Sequence, residues 1–358
     1  MFRNTSPRNT LRQLTSRVAR LERRATGRTP LQGADLSNRD LSGVDFSNSD
    51  LTRANFKESI LANTDFSGSL LEYATLTSAV LTEAKLDGVD IEGAVMSQSN
   101  LTEATLNRAN VSGVLLDAAR FSTTSCDSAT FNNSHLKSAV IEASSFIQAE
   151  FRYANLTSAK ITGSDFTEAH MRSVHFRGCK IFGTVFTRAD LHRTHFEISN
   201  INNCTIKEAD LSGSDFSDAI IAETILDRSD LTEADFNRTT ITDSWFKSAN
   251  LFKAQFKGAT VLNTDMSGCS FSLAWLTGTR FSNADLKGAN LTGALLVHST
   301  FTNTDLSNAT LIRADLSATD LSSADLTGAN LTLAKYDSKT KLPPTLTQDQ
   351  LDSMVKLD

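Results

Sequence analysis

Residues 284–296 read Ala-Asp-Leu-Lys-Gly-Ala-Asn-Leu-Thr-Gly-Ala-Leu-Leu, and within them Leu286, Leu291 and Leu296 recur every five residues, each with alanine two places before it. Extended in both directions, this step of five runs from Leu36 to Leu331 without insertion or slip. All sixty of these positions are Leu, Ile, Val, Met or Phe, except Cys126. The residue two places earlier is Ala, Ser, Thr, Val or Cys at all sixty sites, except Arg39. A helix period of about 3.6 or a strand period of about 2 cannot generate this pattern. The repeat therefore defines the architecture.

The A-[DN]-L-x-x units, such as Ala34-Asp35-Leu36, Ala109-Asn110-Val111, Ala284-Asp285-Leu286 and Ala329-Asn330-Leu331, resemble those of the pentapeptide-repeat family. The resemblance spans residues 34–333, or 300 of the 358. It implies an all-β solenoid, a right-handed quadrilateral β-helix with four pentapeptides per coil. The central apolar residue and the small residue would both point inward, where a narrow axis leaves no room for two large side chains per unit. Dividing 300 by twenty gives fifteen coils, and strand spacing of ~4.8 Å would make a rod of roughly 70 Å. Stacked coils should align like residues at intervals of twenty. Ile141, Ile161, Ile181, Ile201, Ile221 and Ile241 form one such column, and Phe176, Phe196, Phe216, Phe236 and Phe256 another. All four prolines (Pro7, Pro30, Pro343, Pro344) lie outside the repeat, where no ladder N–H is lost.

Composition agrees with a folded, soluble chain. It is 40% hydrophobic and 21% charged, and its 21 Phe require burial. No apolar run approaches the ~20 residues of a membrane helix, and the N-terminal stretch has no apolar core of a secretory signal. The four Cys lack CxxC spacing, against a disulfide framework or structural zinc site. Cys126 takes a central site, and Cys179, Cys204 and Cys269 take small-residue sites, so all four are expected to point inward as small hydrophobes.

Three segments follow: a basic N-terminal helix over 1–30, the β-helix over 31–336 and a helical cap over 337–358. Residues 1–29 hold eight Arg and one acid, Glu22, for a net charge of +7, against −13 for the remainder and −6 overall. Leu11, Leu14, Val18 and Leu21 follow a heptad seam. Arg17-Val18-Ala19-Arg20-Leu21-Glu22 resembles the R-h-x-x-h-E motif of short trimeric coiled coils, in which Arg17 would pair with a neighbour's Glu22. Four readings stand side by side: a cap on the first coil, an oligomerising coil, an organelle transit peptide and an arm for anionic partners. Cytoplasmic location is expected unless this segment is an address. At the other end, Thr347 and Gln350 have capping-box spacing, and Leu351, Met354, Val355 and Leu357 suit an apolar helical face over the last coil. The alternative is end-to-end pairing through that face.

No catalytic, nucleotide or metal motif is present, and no cofactor is expected. His170, His175, His192 and His195 cluster in sequence and are weak metal candidates, with no metal expected. Arg152 and Arg172 share a ladder position with His192 and suit an acidic partner. Asp265, Asp285, Asp305 and Asp325 line one ladder, and Asp190, Asp210 and Asp230 another. Each is expected to accept hydrogen bonds at its own turn, the alternative being mimicry of duplex DNA. Trp245, Phe252 and Trp275 are expected to face outward as a patch for a protein partner.

The leading expectation is a non-catalytic structural or adaptor protein that binds protein rather than nucleic acid or membrane, self-associating through residues 1–30. Two alternatives are kept: a DNA-mimicking protein that binds gyrase, as the resemblance suggests, and a trimeric appendage such as a phage fibre component.

Overall fold

Every five-residue step must find partners for five backbone N–H groups around an apolar axis. In the step Leu51–Asn55, Leu51 and Ala54 point inward and are fully buried. Arg53 adopts φ 60°, which reverses the chain, and the Ala54 N–H donates to the Leu51 carbonyl at 2.9 Å. The N–H groups of Leu51 and Arg53 donate to the next coil, at the carbonyls of Leu70 and Glu72, and that of Asn55 donates to Ala34 of the coil before. The fifth, on Thr52, donates to the carboxylate of Asp50 at 3.2 Å. Asp or Asn before the central residue is thus a backbone requirement. Where that position holds another residue, the previous coil can supply the acceptor: Lys247 N–H donates to Asp227 at 3.0 Å, and Arg152 N–H to Asn132 at 2.8 Å.

The structure, a computed structural model, describes residues 31–357. They form a parallel β-solenoid and fall into two compact units divided between His175 and Phe176. Within each unit residue i pairs in parallel with residue i+20, as in Asp35↔Asn55↔Thr75 of the first and Asp265↔Asp285↔Asp305 of the second. At twenty residues per turn, residues 31–175 of the first unit make about seven turns and residues 176–336 of the second about eight.

Three of the four faces consist of single bridging residues. The remaining face carries three-residue strands: β1 (Arg120–Ser122), β2 (Val140–Glu142) and β3 (Lys160–Thr162) in the first unit. The second unit has β4 (Lys180–Phe182), β5 (Asn200–Asn202), β6 (Ile220–Ala222), β7 (Thr240–Thr242), β8 (Thr260–Leu262), β9 (Arg280–Ser282) and β10 (Thr300–Thr302). A column of hydroxyls explains the change. In earlier coils this corner carries Ala84 and Ala104, whose N–H groups close ordinary turns onto Leu81 and Leu101. From Thr124 onward the N–H reaches the hydroxyl one coil up instead: Thr124 N–H donates to Ser144 Oγ at 3.0 Å, and Ser144 N–H to Ser164 Oγ at 3.2 Å. Each hydroxyl donates in turn to the carbonyl two residues before it, as Ser144 does to Glu142 at 2.9 Å. The second unit repeats this with Thr224 N–H on Ser244 Oγ at 3.2 Å. Thr64 shows the requirement for a column: with Ala84 above it, its N–H stays on the Leu61 carbonyl. At Ala284 a hydroxyl is missing, yet β9 persists between its partners β8 and β10.

The core is a set of columns. Phe131 stacks on Phe151 at 4.7 Å and Phe146 on Phe166 at 4.8 Å in the first unit. In the second, the expected column Phe176–Phe256 stacks at 4.9, 4.9, 4.9 and 4.7 Å between successive rings. The isoleucine column pairs residue on residue, Ile141↔Ile161 in the first unit and Ile181↔Ile201↔Ile221↔Ile241 in the second. Offset-stacked rings at this separation add about 0.5–1.5 kcal/mol per pair beyond the area they bury.

The C-terminal end departs from the expected helical face. After β11 (Lys335–Tyr336) the chain bends through Pro343-Pro344 into α1 (Gln348–Asp352), whose N-cap Thr347 forms the expected capping box with Gln350. Gln350 Nε2 pins the helix to the preceding coil, donating to the carbonyls of Leu326 and Ala329 at 2.9 and 3.0 Å. The helix ends at Asp352. Met354 is buried beyond it, and β12 (Val355–Lys356) pairs with β11 in the same twenty-residue register. An edge strand with open N–H and C=O groups gains more from a ladder partner than the chain gains from another helical turn. The proposed N-terminal helix and its seam (Leu11, Leu14, Arg17, Val18, Leu21, Glu22) lie outside the described residues.

Two predictions follow from these bonds. Ser144→Ala leaves the Thr124 N–H without its acceptor and should cost about 1–3 kcal/mol by urea denaturation. Ser134→Ala, at a corner whose N–H already bonds the Phe131 carbonyl, should cost less. Equal losses would refute the hydroxyl column. Asp320 is held at about 2 by the side-chain bond from Lys341, with the hydroxyl and N–H of Ser322 assisting. Its folded value lies below the ordinary carboxylate value, so the contribution is complete above about pH 4 and is lost as pH falls towards 2. Lys341→Met should flatten that part of the acid-denaturation profile.

Candidate interaction surface

The outward positions of each pentad are the bridging residue, the one after the central residue and the corner residue at positive φ. Most carry Asp, Asn, Ser, Thr or Gly. The exceptions are informative, because a large apolar side chain there stabilises no core.

Leu273, Trp275 and Leu295 form the densest such group. They are 46%, 57% and 40% exposed, respectively. Trp275 and Leu295 are direct ladder partners, which places them roughly 4.8 Å apart along the stack. Leu273 stands at the corner two residues before Trp275, with φ 56°. Its side chain leans over Gly293, where an added Cβ would lie 2.8 Å from Leu273 Cδ2. Gly293 makes room for the leucine, and its own φ of 67° suits glycine.

The three aromatic residues expected to form a patch do not all share a surface. Trp245 is 44% exposed in the ladder Ile225↔Trp245↔Asp265, and Trp275 sits in Gln255↔Trp275↔Leu295. Thirty residues is one and a half coils, so the two indoles lie on opposite faces. Phe252 is half-buried at the corner leading to the Trp275 face, with Lys253 Nζ 5.2 Å from its ring centre. Leu273 and Leu295 were not anticipated. Their signal in the sequence is Leu in place of the usual polar residue at a corner and at a bridging site, with Leu295 twenty residues after Trp275.

Arg152 and Arg172 are exposed at one corner of the first unit, twenty residues apart. His170 and His175 are exposed in the ladders Glu150↔His170 and Asn155↔His175 of that unit. His192 and His195 belong to the second unit, where His192 Nδ1 lies 2.8 Å from Ser212 Oγ and His195 Nδ1 3.3 Å from Glu197 Oε1. Among the described residues no group of three or more His, Cys, Asp or Glu is placed to hold a metal ion.

The acidic stripes serve the backbone first. Asp265, Asp285, Asp305 and Asp325 each accept the N–H two residues on, at 2.7–2.9 Å. Asp210 and Asp230 do the same at 3.0 Å, and Asp190 at 3.4 Å. These bonds offset the repulsion of like charges stacked at this spacing. The hydroxyl and N–H of Thr327 lower Asp325 from its ordinary value. Asp235 is raised, by burial first and by the neighbouring Asp215 carboxylate. Asn100 and Asn290, within N-x-T matches, cap Thr102 and Thr292 in the same way.

All four cysteines are buried, and none is in a disulfide. Burial pushes Cys204 up to about 11 and Cys269 to about 12, and raises Cys126 well above the ordinary thiol value. Ellman's reagent at pH 8 should therefore leave the native protein unmodified and titrate four thiols after denaturation. Rapid reaction of any thiol in the native state would contradict the inward assignment.

Two descriptions of the same repeat match the chain. One, a pentapeptide repeat region, matches residues 109–186 and 169–246. The other, pentapeptide repeats in eight copies, matches 31–68, 59–98, 249–293, 264–303 and 299–335. The chain belongs to the pentapeptide-repeat family. Comparison with curated proteins returns no match. Among solved structures, the plasmid-mediated fluoroquinolone resistance protein QnrB1 is 20% identical over 52% of this chain and 89% of its own, with a TM-score of 0.30. HetL, involved in heterocyst differentiation regulation in the cyanobacterium Nostoc sp. strain PCC 7120, is 22% identical over 81% of this chain and 94% of its own, with a TM-score of 0.18. A pentapeptide repeat protein of the Arabidopsis thaliana thylakoid lumen is 30% identical over 34% of this chain and 67% of its own, with a TM-score of 0.14. No helix among the described residues is long and apolar enough to cross a membrane.

Proposed function

We propose that the chain is a non-catalytic adaptor or structural protein that presents the outer faces of its coils to a protein partner. The observation that carries this reading is the patch of Leu273, Trp275 and Leu295, which holds apolar area in water without adding to the core. Side chains fill the interior of the coils, which favours a surface role over chemistry in an enclosed site. The turn bonds of the aspartate ladders favour the adaptor over a DNA mimic. On one ladder Ile225 and Trp245 stand in line with Asp265, interrupting the run of charge. Residues 1–30 would gather copies of the chain through the seam of Leu11, Leu14, Val18 and Leu21, with Arg17 facing Glu22.

Two measurements test this. Light scattering should give the full chain a multiple of 38.9 kDa and a chain starting at Leu31 the mass of a monomer. A trimer would favour the appendage reading, and monomers in both cases would overturn self-association. A partner captured by cross-linking in the native host should re-form a saturable complex of fixed stoichiometry from purified components. Failure to obtain any such complex would overturn the adaptor reading.

A further inference from the structure

The apolar patch of the second unit has a cationic rim. Lys257 is exposed at the corner beyond Gln255, one coil below Trp275, and its backbone N–H is fixed by Asn237 at 2.8 Å. Arg313 is exposed on the other side, one coil beyond Gly293. Neither side chain forms an ion pair among the described residues. Lys253 is nearby but already engaged, with Nζ 3.4 Å from Glu233 Oε1. An acid stands at each end of the same ladder, and each is bound to its own turn: Asp315, beside Leu295, accepts the Ser317 N–H and hydroxyl at 3.0 and 2.6 Å, and Asp235, beside Gln255, accepts the Asn237 N–H at 2.7 Å. The surface is thus three apolar side chains between two uncommitted cations.

We propose that this surface docks an amphipathic α-helix of a partner protein, with its apolar stripe on Leu273, Trp275 and Leu295 and flanking carboxylates on Lys257 and Arg313. Lys257 and Arg313 are about three coils apart, roughly 14 Å along the stack. A helix rises about 1.5 Å per residue, so the two carboxylates should stand about ten residues apart. Residues 1–30 of this chain do not suit the site, since eight Arg against one acid would set like charge against the rim. The aspartate stripes of a second copy match the charge but offer no apolar stripe. The proposal deepens the adaptor reading and rests on it.

The test uses the full chain with Trp245→Phe, so that Trp275 is the sole indole. Three synthetic helical peptides of about 15 residues are titrated against it. The first has leucines at i, i+3, i+4 and i+7 and two glutamates about ten residues apart. The second replaces those glutamates with lysine, and the third replaces the leucines with serine. The glutamate peptide should shift Trp275 emission to the blue saturably, and the other two should bind at least ten-fold more weakly. The double variant Lys257→Glu, Arg313→Glu should reverse the preference between the first two. Equal affinity for glutamate and lysine peptides, or no shift with any peptide, overturns the proposal. A partner complex whose Kd is unchanged by Trp275→Ser with Leu295→Ser would also overturn it, while leaving the adaptor reading in place.

Discussion

Saturation of backbone N–H groups around an axis too narrow for ordinary strands is the constraint on which the rest of this structure depends. In the step Leu51–Asn55 the coils on either side take three N–H groups, the local turn takes one and the carboxylate of Asp50 takes the last. The unit Ala-Asp-Leu-x-x is a compact solution to that accounting. Alanine lets the chain approach the axis, aspartate caps its own turn, leucine fills the interior, and the last residue accepts a left-handed φ. One coil alone leaves three of these five bonds unmade. Stacking therefore supplies bonding as well as hydrophobic burial.

The same constraint explains departures from the consensus. When an acceptor is missing from a pentad, the coil before can provide it, as Asn132 does for Arg152. When one corner gains consecutive hydroxyls, the turn opens and the face lengthens into strands. At the C-terminus the capping helix yields to a short strand once a ladder edge is within reach. In each case a bond to a buried or semi-buried amide outweighs local preference. An unmet buried N–H costs about 1–3 kcal/mol, whereas helix propensities of ordinary residues differ by less than about 1 kcal/mol.

Because the backbone claims so many polar side chains, an aspartate on this surface says little about partners. The stripes Asp265–Asp325 and Asp210–Asp230 arise from turn bonding. Side chains that do nothing for the backbone or the core are the more informative ones. Leu273 occupies a strained corner over Gly293, and Trp275 and Leu295 stand side by side in water.

The sequence by itself determined the twenty-residue coil, the inward columns of Phe and Ile, the buried cysteines and the capping box of Thr347 and Gln350. A strict period in a parallel ladder leaves one register, since a slip of one residue would turn the core side chains outward. Tertiary structure decided what lies beyond that period. It separated Trp245 from Trp275 onto opposite faces, because thirty residues are one and a half coils. It joined Leu295 to Trp275, gave the column from Thr124 to Ser164 its meaning, and drew Val355 into a strand beside Lys335. These outcomes depend on which residues stand one coil above and below, and the bonding that follows exists only once the coils are stacked.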